Sequence, residues 1–342
     1  FDYLREYCVV IYSKRTKGIS STQIRNTHSL KLGIIGGEKI VDRFLSEVSF
    51  ISGINMTGVY YVGPVSSEKC KELYEYNSLN EFFSQRDAVY VNVPLKYRYK
   101  YIKEALLNGK HVLTEFPFSN SYDNAKELIE LANTHNLVLM EGLKTAYCPA
   151  FTKMISLVKS GVIGNILNIE ARFTQVLEDN LFNEQIRISG GSIESLASYP
   201  LLIIFKLLGI DYEDISFTSH FENNIDLFTK IDLRYTNSIA SATVAIRAKS
   251  ESNLIIAGTK GYIYVPAPWW KTEFFEVCYE NINNNSKYFY KFEGEGLRYE
   301  LVEFIKTIQT NAVQNNLLNY NEMLAVTRVI VLFLSNYNVK RF

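Results

Sequence analysis

Residues 31–36, Lys-Leu-Gly-Ile-Ile-Gly, form a short apolar run that ends on glycine and opens a regular alternation of patterns. Four further runs rich in β-branched residues follow at 58–62, 88–93, 111–115 and 137–141, with helical patterns between them. Strands that alternate with helices are typical of a parallel, doubly wound sheet. The sequence therefore predicts a Rossmann-like α/β domain over residues 31–147.

The helices of this domain have recognisable ends. The run 97–108 ends at Gly109, the residue type expected just beyond a helix C-terminus. The next helix is expected to begin after Ser121, whose hydroxyl is a good N-cap. One stripe of that helix should be buried: Ala125, Leu128, Ile129 and Ala132.

After Pro149 the pattern changes from short buried runs to long alternating ones. Such segments occupy 166–176, 226–235, 238–247 and 274–279, and amphipathic helices are expected at 297–310 and 321–337. Alternation predicts a mostly antiparallel sheet with one face open to solvent. Residues 148–342 are therefore expected to form an α+β domain.

Composition excludes several classes of function. Lys plus Arg and Asp plus Glu both total 36, so no net charge favours nucleic acid or an anionic membrane surface. The apolar stretches are too short for a membrane span. Four scattered cysteines without a Cys-x-x-Cys pair indicate a reducing, cytoplasmic setting, and no His or carboxylate cluster has metal-ligand spacing.

Several motifs carry a resemblance to a known family. They are residues 31–36, Asp-Ala-Val-Tyr-Val-Asn-Val-Pro at 87–94, Ala-Leu-Leu-Asn-Gly-Lys-His-Val-Leu-Thr-Glu-Phe-Pro at 105–117, and Gly-Thr-Lys-Gly-Tyr-Ile-Tyr-Val-Pro at 258–266. In order and spacing they resemble the glucose–fructose oxidoreductase/inositol dehydrogenase (Gfo/Idh/MocA) family. The resemblance implies NAD or NADP at the carboxyl ends of the first-domain strands and a sugar or polyol substrate against the second sheet. It also implies homo-oligomers packed through those sheets.

The expected cofactor site consists of the glycines of the first turn and residues at the ends of two later strands: Gly33, Gly36, Gly37, Pro94 and Glu115. Glycines here let backbone N–H groups and a helix N-terminus approach a pyrophosphate. A tight structural turn explains the same glycines equally well. Glu38 stands where the family has a further glycine, and residues 62–64, Val-Gly-Pro, offer no carboxylate for a ribose. These departures predict weak dinucleotide binding.

Hydride transfer from a carbinol needs a group that takes the hydroxyl proton. The resemblance implies a lysine where Phe116 stands and an acid where Ser195 stands. Lys144 and Tyr199 are therefore the candidate catalytic residues. The alternative for Lys144 is a solvated loop lysine, and Tyr199, with a reference pKa of about 10, is a poor base without a cationic neighbour.

The leading residues resemble a different family. Residues 15–25, Arg-Thr-Lys-Gly-Ile-Ser-Ser-Thr-Gln-Ile-Arg, are similar to the last signature of cytidylyltransferases that make CDP-activated polyols. We therefore expect residues 1–30 to be the tail of such a domain within a longer protein. An unrelated strand, loop and cap is the alternative interpretation.

Two functional hypotheses follow. The first is an NAD(P)-dependent oxidoreductase acting on a sugar, a polyol or their phosphates, in surface-polysaccharide precursor synthesis, with degenerate catalytic positions. The second is a catalytically silent binding or dimerisation module fused to a cytidylyltransferase. Trp269 and Trp270 are candidates for stacking on a sugar ring, although packing or an oligomer contact is the favoured interpretation.

Overall fold

The computed structural model describes residues 29–63 and 75–342. The signature at residues 15–25, and with it the expected cytidylyltransferase tail, lies outside the described residues. So does Pro64, at the end of the expected second strand.

The first sheet has five parallel strands in the order β2-β1-β3-β4-β5 within the described ranges. Its strands are β1 (Leu30–Gly36), β2 (Ile54–Tyr61), β3 (Ala88–Asn92), β4 (His111–Thr114) and β5 (Leu139–Glu141). The helices between them are α1 (Glu38–Val48), α2 (Leu79–Ser84), α3 (Leu95–Leu107) and α4 (Tyr122–Thr134). The predicted Rossmann-like sheet is confirmed.

The apolar runs form strands because helices cover them, and α4 starts where its predicted cap places it. Leu32, Ile34 and Ile35 of β1 are fully buried. Helix α4 has Ser121 as its N-cap, and the Ser121 hydroxyl accepts a hydrogen bond from the Asn124 N–H at 3.4 Å. The predicted stripe of α4 is buried in full.

The second sheet has nine strands, in the order β13-β12-β11-β10-β6-β9-β8-β7-β14, and only β6–β9 and β7–β14 are parallel pairs within the described residues. Its strands are β6 (Ile166–Thr174), β7 (Asp214–Glu222), β8 (Ile225–Arg234), β9 (Ile239–Ala245), β10 (Leu254–Gly258), β11 (Tyr262–Val265), β12 (Phe274–Cys278), β13 (Ser286–Phe289) and β14 (Val339–Arg341). The mostly antiparallel sheet is confirmed. The alternating segments named above correspond to β6, β8, β9 and β12.

Seven more α-helices follow in the described chain. They are α5 (Lys144–Tyr147), α6 (Pro149–Lys159), α7 (Asp179–Ser189), α8 (Ser192–Leu196), α9 (Ser198–Leu208), α10 (Leu297–Gln309) and α11 (Tyr320–Leu334). Helices α8 and α9 pack on one face of the second sheet. Strand β6 shows the resulting alternation, because Ile169 and Ala171 are fully buried while Glu170 and Arg172 are half-exposed on the other face.

The last two helices return to the first sheet, so the two parts of the fold interlock. Arg298 of α10 bonds Glu47 of α1 at 2.8 Å. The hydroxyl of Tyr320, on α11, accepts from the Leu139 N–H of β5 at 3.4 Å. These contacts bring side chains of α10 to the carboxyl edge of the first sheet.

Throughout the two described ranges, every helix is too short or too polar to span a bilayer. Within the same ranges, no group of three or more His, Cys, Asp or Glu side chains is arranged to hold a metal ion.

Candidate functional site

The turn between β1 and α1 is open above one of its two glycines. A Cβ on Gly36 would lie 2.8 Å from the Asn92 carbonyl oxygen, so Gly36 is required by the packing of β1 on β3. At Gly37 a Cβ would meet no atom within 4 Å. Gly37 is the N-cap of α1, and no side chain caps the helix from that position. The turn therefore offers space and helix-start N–H groups to an anion.

Two nearby positions bear on how well a dinucleotide fits. Glu38 is the first residue of α1 and is half-buried, so a carboxylate directly follows the open turn in the chain. Tyr61 and Val62, at the end of β2, supply no carboxylate for a ribose, and residues 64–74 lie outside the described chain. The turn fits a pyrophosphate, with Glu38 as the opposing charge.

Gly33 lies inside β1, three residues before the turn. A Cβ there would lie 2.6 Å from the Phe82 ring atom Cζ and 3.0 Å from Arg86 Nε. The close packing of Phe82 therefore accounts for this glycine without a cofactor. Pro94, by contrast, is the N-cap of α3 at the carboxyl edge of the sheet.

Glu115, just beyond β4, is the centre of a hydrogen-bonded group. Its Oε1 atom accepts from the Tyr90 hydroxyl, from Asn92 Nδ2 at 2.8 Å and from an Arg43 guanidinium N–H at 3.3 Å. Burial raises the pKa of Tyr90 well above its usual value, and the Glu115 charge raises it further. Glu115 is thus already satisfied by protein donors. Glu115 was predicted from its motif but its partners were not, although residues 90 and 92 share one face of β3 and their spacing was a usable signal.

Arg98 ties the carboxyl ends of β3 and β4 together. Its guanidinium is 3% exposed and donates to the carbonyl oxygens of Val93 at 3.2 Å and Pro117 at 2.5 Å. Burial lowers the pKa of Arg98, whereas Glu115 and Glu141 raise it. This arginine holds the backbone beside the candidate site in place.

Lys144 is the first residue of α5, directly beyond β5. Its ammonium lies 3.4 Å from the Glu295 carbonyl oxygen, and its side chain is half-buried rather than solvated. Burial lowers the pKa of Lys144; Glu300 raises it, and Arg43 lowers it. The structure therefore brings Lys144 to the charged group around Glu115.

Tyr199, on α9, reaches the same region from the second domain. It is 5% exposed, and its ring packs edge-on against Phe116 with centroids 4.9 Å apart. Burial raises the pKa of Tyr199 well above its usual value, and Glu115 and Glu300 add to this. Among the described residues its hydroxyl has no hydrogen-bond partner. Tyr199 and Lys144 thus lie on two sides of one charged group, without a direct bond between them.

An aromatic group surrounds Tyr199. Phe173 stacks on Trp270 with centroids 3.6 Å apart, and both rings contact Tyr199. Trp269 is fully buried and donates from Nε1 to the Arg172 carbonyl, so it packs the core as expected. Ser195, at the expected acid position, donates to the Gly190 carbonyl at 3.1 Å and carries no charge.

Two family sequence models match this chain. The first, "Oxidoreductase family, NAD-binding Rossmann fold", matches residues 30–143, and the second, "GFO/IDH/MocA C-terminal domain", matches residues 151–264. Together they span more than half of the chain. The chain therefore belongs to the GFO/IDH/MocA oxidoreductase family, whose first domain is an NAD-binding Rossmann fold.

Characterised relatives include three sugar or polyol oxidoreductases. A dTDP-3,4-didehydro-2,6-dideoxy-alpha-D-glucose 3-reductase of Streptomyces antibioticus is 32% identical over 36% of this chain and 38% of its own length. A scyllo-inositol 2-dehydrogenase (NADP(+)) of Bacillus subtilis is 27% identical over 52% and 58%. A D-xylose 1-dehydrogenase (NADP(+)) of Hypocrea jecorina is 25% identical over 75% and 77%. The chain aligns with about two fifths to three fifths of the length of the first two of these relatives.

Solved structures share the fold. A 3-ketoreductase from Actinomadura kijaniata, in complex with NADP and TDP-benzene, superposes with a TM-score of 0.80 at 18% identity, over 92% of this chain and 99% of that one. A UDP-N-acetylglucosamine 3-dehydrogenase from Acidithiobacillus ferrooxidans gives 0.72 at 18% identity, over 89% and 96%. At this identity the likeness concerns the fold alone.

Proposed function

We propose that this chain is an NAD(P)-dependent oxidoreductase that interconverts a hydroxyl and a carbonyl on a sugar, a polyol or one of their phosphates. One observation carries the proposal. The open turn at Gly37 and a charged group built from both domains meet at the carboxyl edge of the same parallel sheet. In doubly wound folds this edge is where ligands bind. The names of the relatives, which include a dTDP-sugar reductase, an inositol dehydrogenase and a xylose dehydrogenase, support the substrate class.

A nicotinamide cofactor supplies or removes the hydride when it is bound. In this proposal the N–H groups at the start of α1 hold its pyrophosphate, and Gly36 and Gly37 admit it. Pro94 borders the site at the end of β3. Glu115 acts only indirectly, because its carboxylate already accepts hydrogen bonds from Tyr90, Asn92 and Arg43.

Lys144 and Tyr199 have different roles toward the substrate hydroxyl in this proposal. A lysine whose pKa is lowered by burial carries more neutral amine near pH 7 than an ordinary lysine, and so accepts a proton more readily. Tyr199 keeps its proton because its pKa is raised, and its hydroxyl orients the substrate oxygen by donating to it. Since Phe116 replaces the lysine that the family resemblance implies, we expect slow turnover.

A second candidate is a catalytically silent module that binds or dimerises, fused to a cytidylyltransferase. The packing of Phe116 on Tyr199 favours it, because the two rings occupy the end of β4 where a reacting group would act. Glu38 beside the open turn favours it as well. In both candidates we expect a homo-oligomer.

Steady-state assays separate the candidates. NAD⁺ and NADP⁺ are offered with a panel of sugars, polyols, their phosphates and nucleotide sugars, and the formation of reduced nicotinamide is followed. Lys144→Met and Tyr199→Phe should each lower turnover at least tenfold, whereas Lys153→Met, an exposed lysine on α6, should leave it unchanged. Cofactor binding without turnover supports the silent module. Absence of binding by either nicotinamide contradicts the oxidoreductase, whereas turnover with any of these substrates contradicts the silent module.

A further inference from the structure

Glu300 is a buried carboxylate that the proposed reaction does not use. It lies on α10, in the second domain, yet it is only 5% exposed and reaches the carboxyl edge of the first sheet. A Cβ on Gly142, just beyond β5, would lie 3.0 Å from Glu300 Oε2 and 3.2 Å from the Thr114 carbonyl oxygen. The missing side chain at Gly142 therefore leaves room for this carboxylate.

The carboxylate lies at the start of the helix that carries Lys144. Helix α5 begins at Lys144, and its N-cap Leu143 has no side-chain cap. The Glu300 carboxylate lies against Gly142, two residues before Lys144. Glu300 thus reaches the connection between β5 and α5 from a distant part of the chain.

The turn before α10 also holds the Lys144 side chain. A Cβ on Gly296, whose φ is +90°, would lie 2.9 Å from Lys144 Cδ, and the ammonium contacts the Glu295 carbonyl oxygen. The side chain of Lys144 is therefore held by the two residues just before α10.

Charges from several elements face this position. Arg43 comes from α1, Glu115 follows β4, and Lys271 lies in the second domain. Glu300 favours the charged form of Lys144, whereas Arg43 and Lys271 oppose it. Burial raises the pKa of Glu300 well above its usual value, and the Glu115 charge raises it further. Arg43 and Lys144 lower it.

We propose that Glu300 is a positioning residue: from the second domain its carboxylate occupies the space at Gly142, just before α5, and holds Lys144 at the edge of the first sheet. The proposal rests on the proposed function only for the role of Lys144 as proton acceptor. The packing of α10 against the first domain then influences the position and the protonation of Lys144, the proposed proton acceptor.

The test measures Lys144 directly and needs no nicotinamide. The lysines are reductively methylated with ¹³C-formaldehyde, and the Lys144 resonance, identified by its loss in Lys144→Arg, is followed by NMR as the pH is varied. Wild type is compared with Glu300→Gln, which nearly keeps the size of the side chain at Gly142 but removes the carboxylate. Glu303→Gln is the matched control, because Glu303 lies one turn further along α10 and bonds Lys306 and Asn315 instead.

In Glu300→Gln we expect Lys144 to titrate at lower pH than in wild type, because an interaction that raises its pKa is lost. In Glu303→Gln, Lys144 should titrate as it does in wild type. Gly142→Ala displaces the Glu300 carboxylate while residue 300 stays a glutamate, and it should also change the pKa at which Lys144 titrates. Equal titration of Lys144 in wild type, Glu300→Gln and Gly142→Ala would overturn the proposal, as would an equal shift in the Glu303 control. Failure to bind NADH would count against the proposed function and would leave these titrations unchanged.

Discussion

Glu38 gives a prediction in which affinity and stability change in opposite directions. The substitution is Glu38→Gln, which removes the charge beside the open turn and nearly keeps the size of the side chain. A phosphate above Gly37 lies next to this carboxylate, because Glu38 is the first residue of α1.

The magnitude follows from Coulomb's law. Two unit charges about 4 Å apart repel by roughly 4 kcal/mol at an effective dielectric of about 20. Glu38 is half-exposed, so water and salt screen part of this repulsion, and we expect about 1–2 kcal/mol. That corresponds to roughly 5- to 30-fold tighter dinucleotide binding in the variant. The same change removes an acid from a helix N-terminus and should lower the free energy of unfolding by about 0.3–1 kcal/mol.

The assay is nicotinamide fluorescence during titration with NADH and NADPH, at low and high salt. The gain in affinity should shrink as salt rises. Glu81→Gln is the control, because Glu81 is also an acid in the first turn of a helix and lies on α2. Unchanged affinity in Glu38→Gln, or an equal gain in the control, would refute the reasoning.

The remaining predictions concern stability and assembly. Burial raises the pKa of Glu141 to about 7, so its contribution to stability is lost as pH rises from the unfolded value near 4.5 through 7. The free energy of unfolding of wild type, relative to Glu141→Gln, should therefore fall by about 2–3 kcal/mol between pH 5 and pH 8 in urea melts, and a constant difference would contradict this. Gly36→Ala should cost about 1–3 kcal/mol because its Cβ meets the Asn92 carbonyl, whereas Gly37→Ala should change stability by less than about 0.5 kcal/mol; equal melts of the two variants would rule this out. Sedimentation should show a homo-oligomer, because the open sheet face carries exposed apolar side chains such as Ile239, and a monomer at micromolar concentration would exclude it.

The fold was largely predictable because its signals are local. The alternation of apolar runs and helical patterns predicted the parallel sheet, and Ser121 marked the start of α4. The strands that were missed, such as β7 and β10, lie where the alternation is short or interrupted. Their pairing depends on neighbours distant in sequence.

The site was only partly predictable, because its contacts join distant parts of the chain. The position of Glu115 at a strand end could be derived from its motif. Its partner Arg43 comes from a helix 72 residues earlier, and Glu300 comes from the second domain. No spacing rule connects such residues. Gly33 shows why a motif alone is ambiguous, since a glycine predicted from a cofactor motif also allows the close packing of Phe82.

The central claim is that a dinucleotide binds on the turn at Gly37. The most direct measurement is a titration of NADH and NADPH into wild type and Gly37→Asp, followed by nicotinamide fluorescence. The Asp side chain places a negative charge in the open space above the turn. We predict saturable binding to wild type that weakens at least tenfold in Gly37→Asp. Absence of binding up to millimolar concentrations, or equal affinity in the two proteins, would contradict the account.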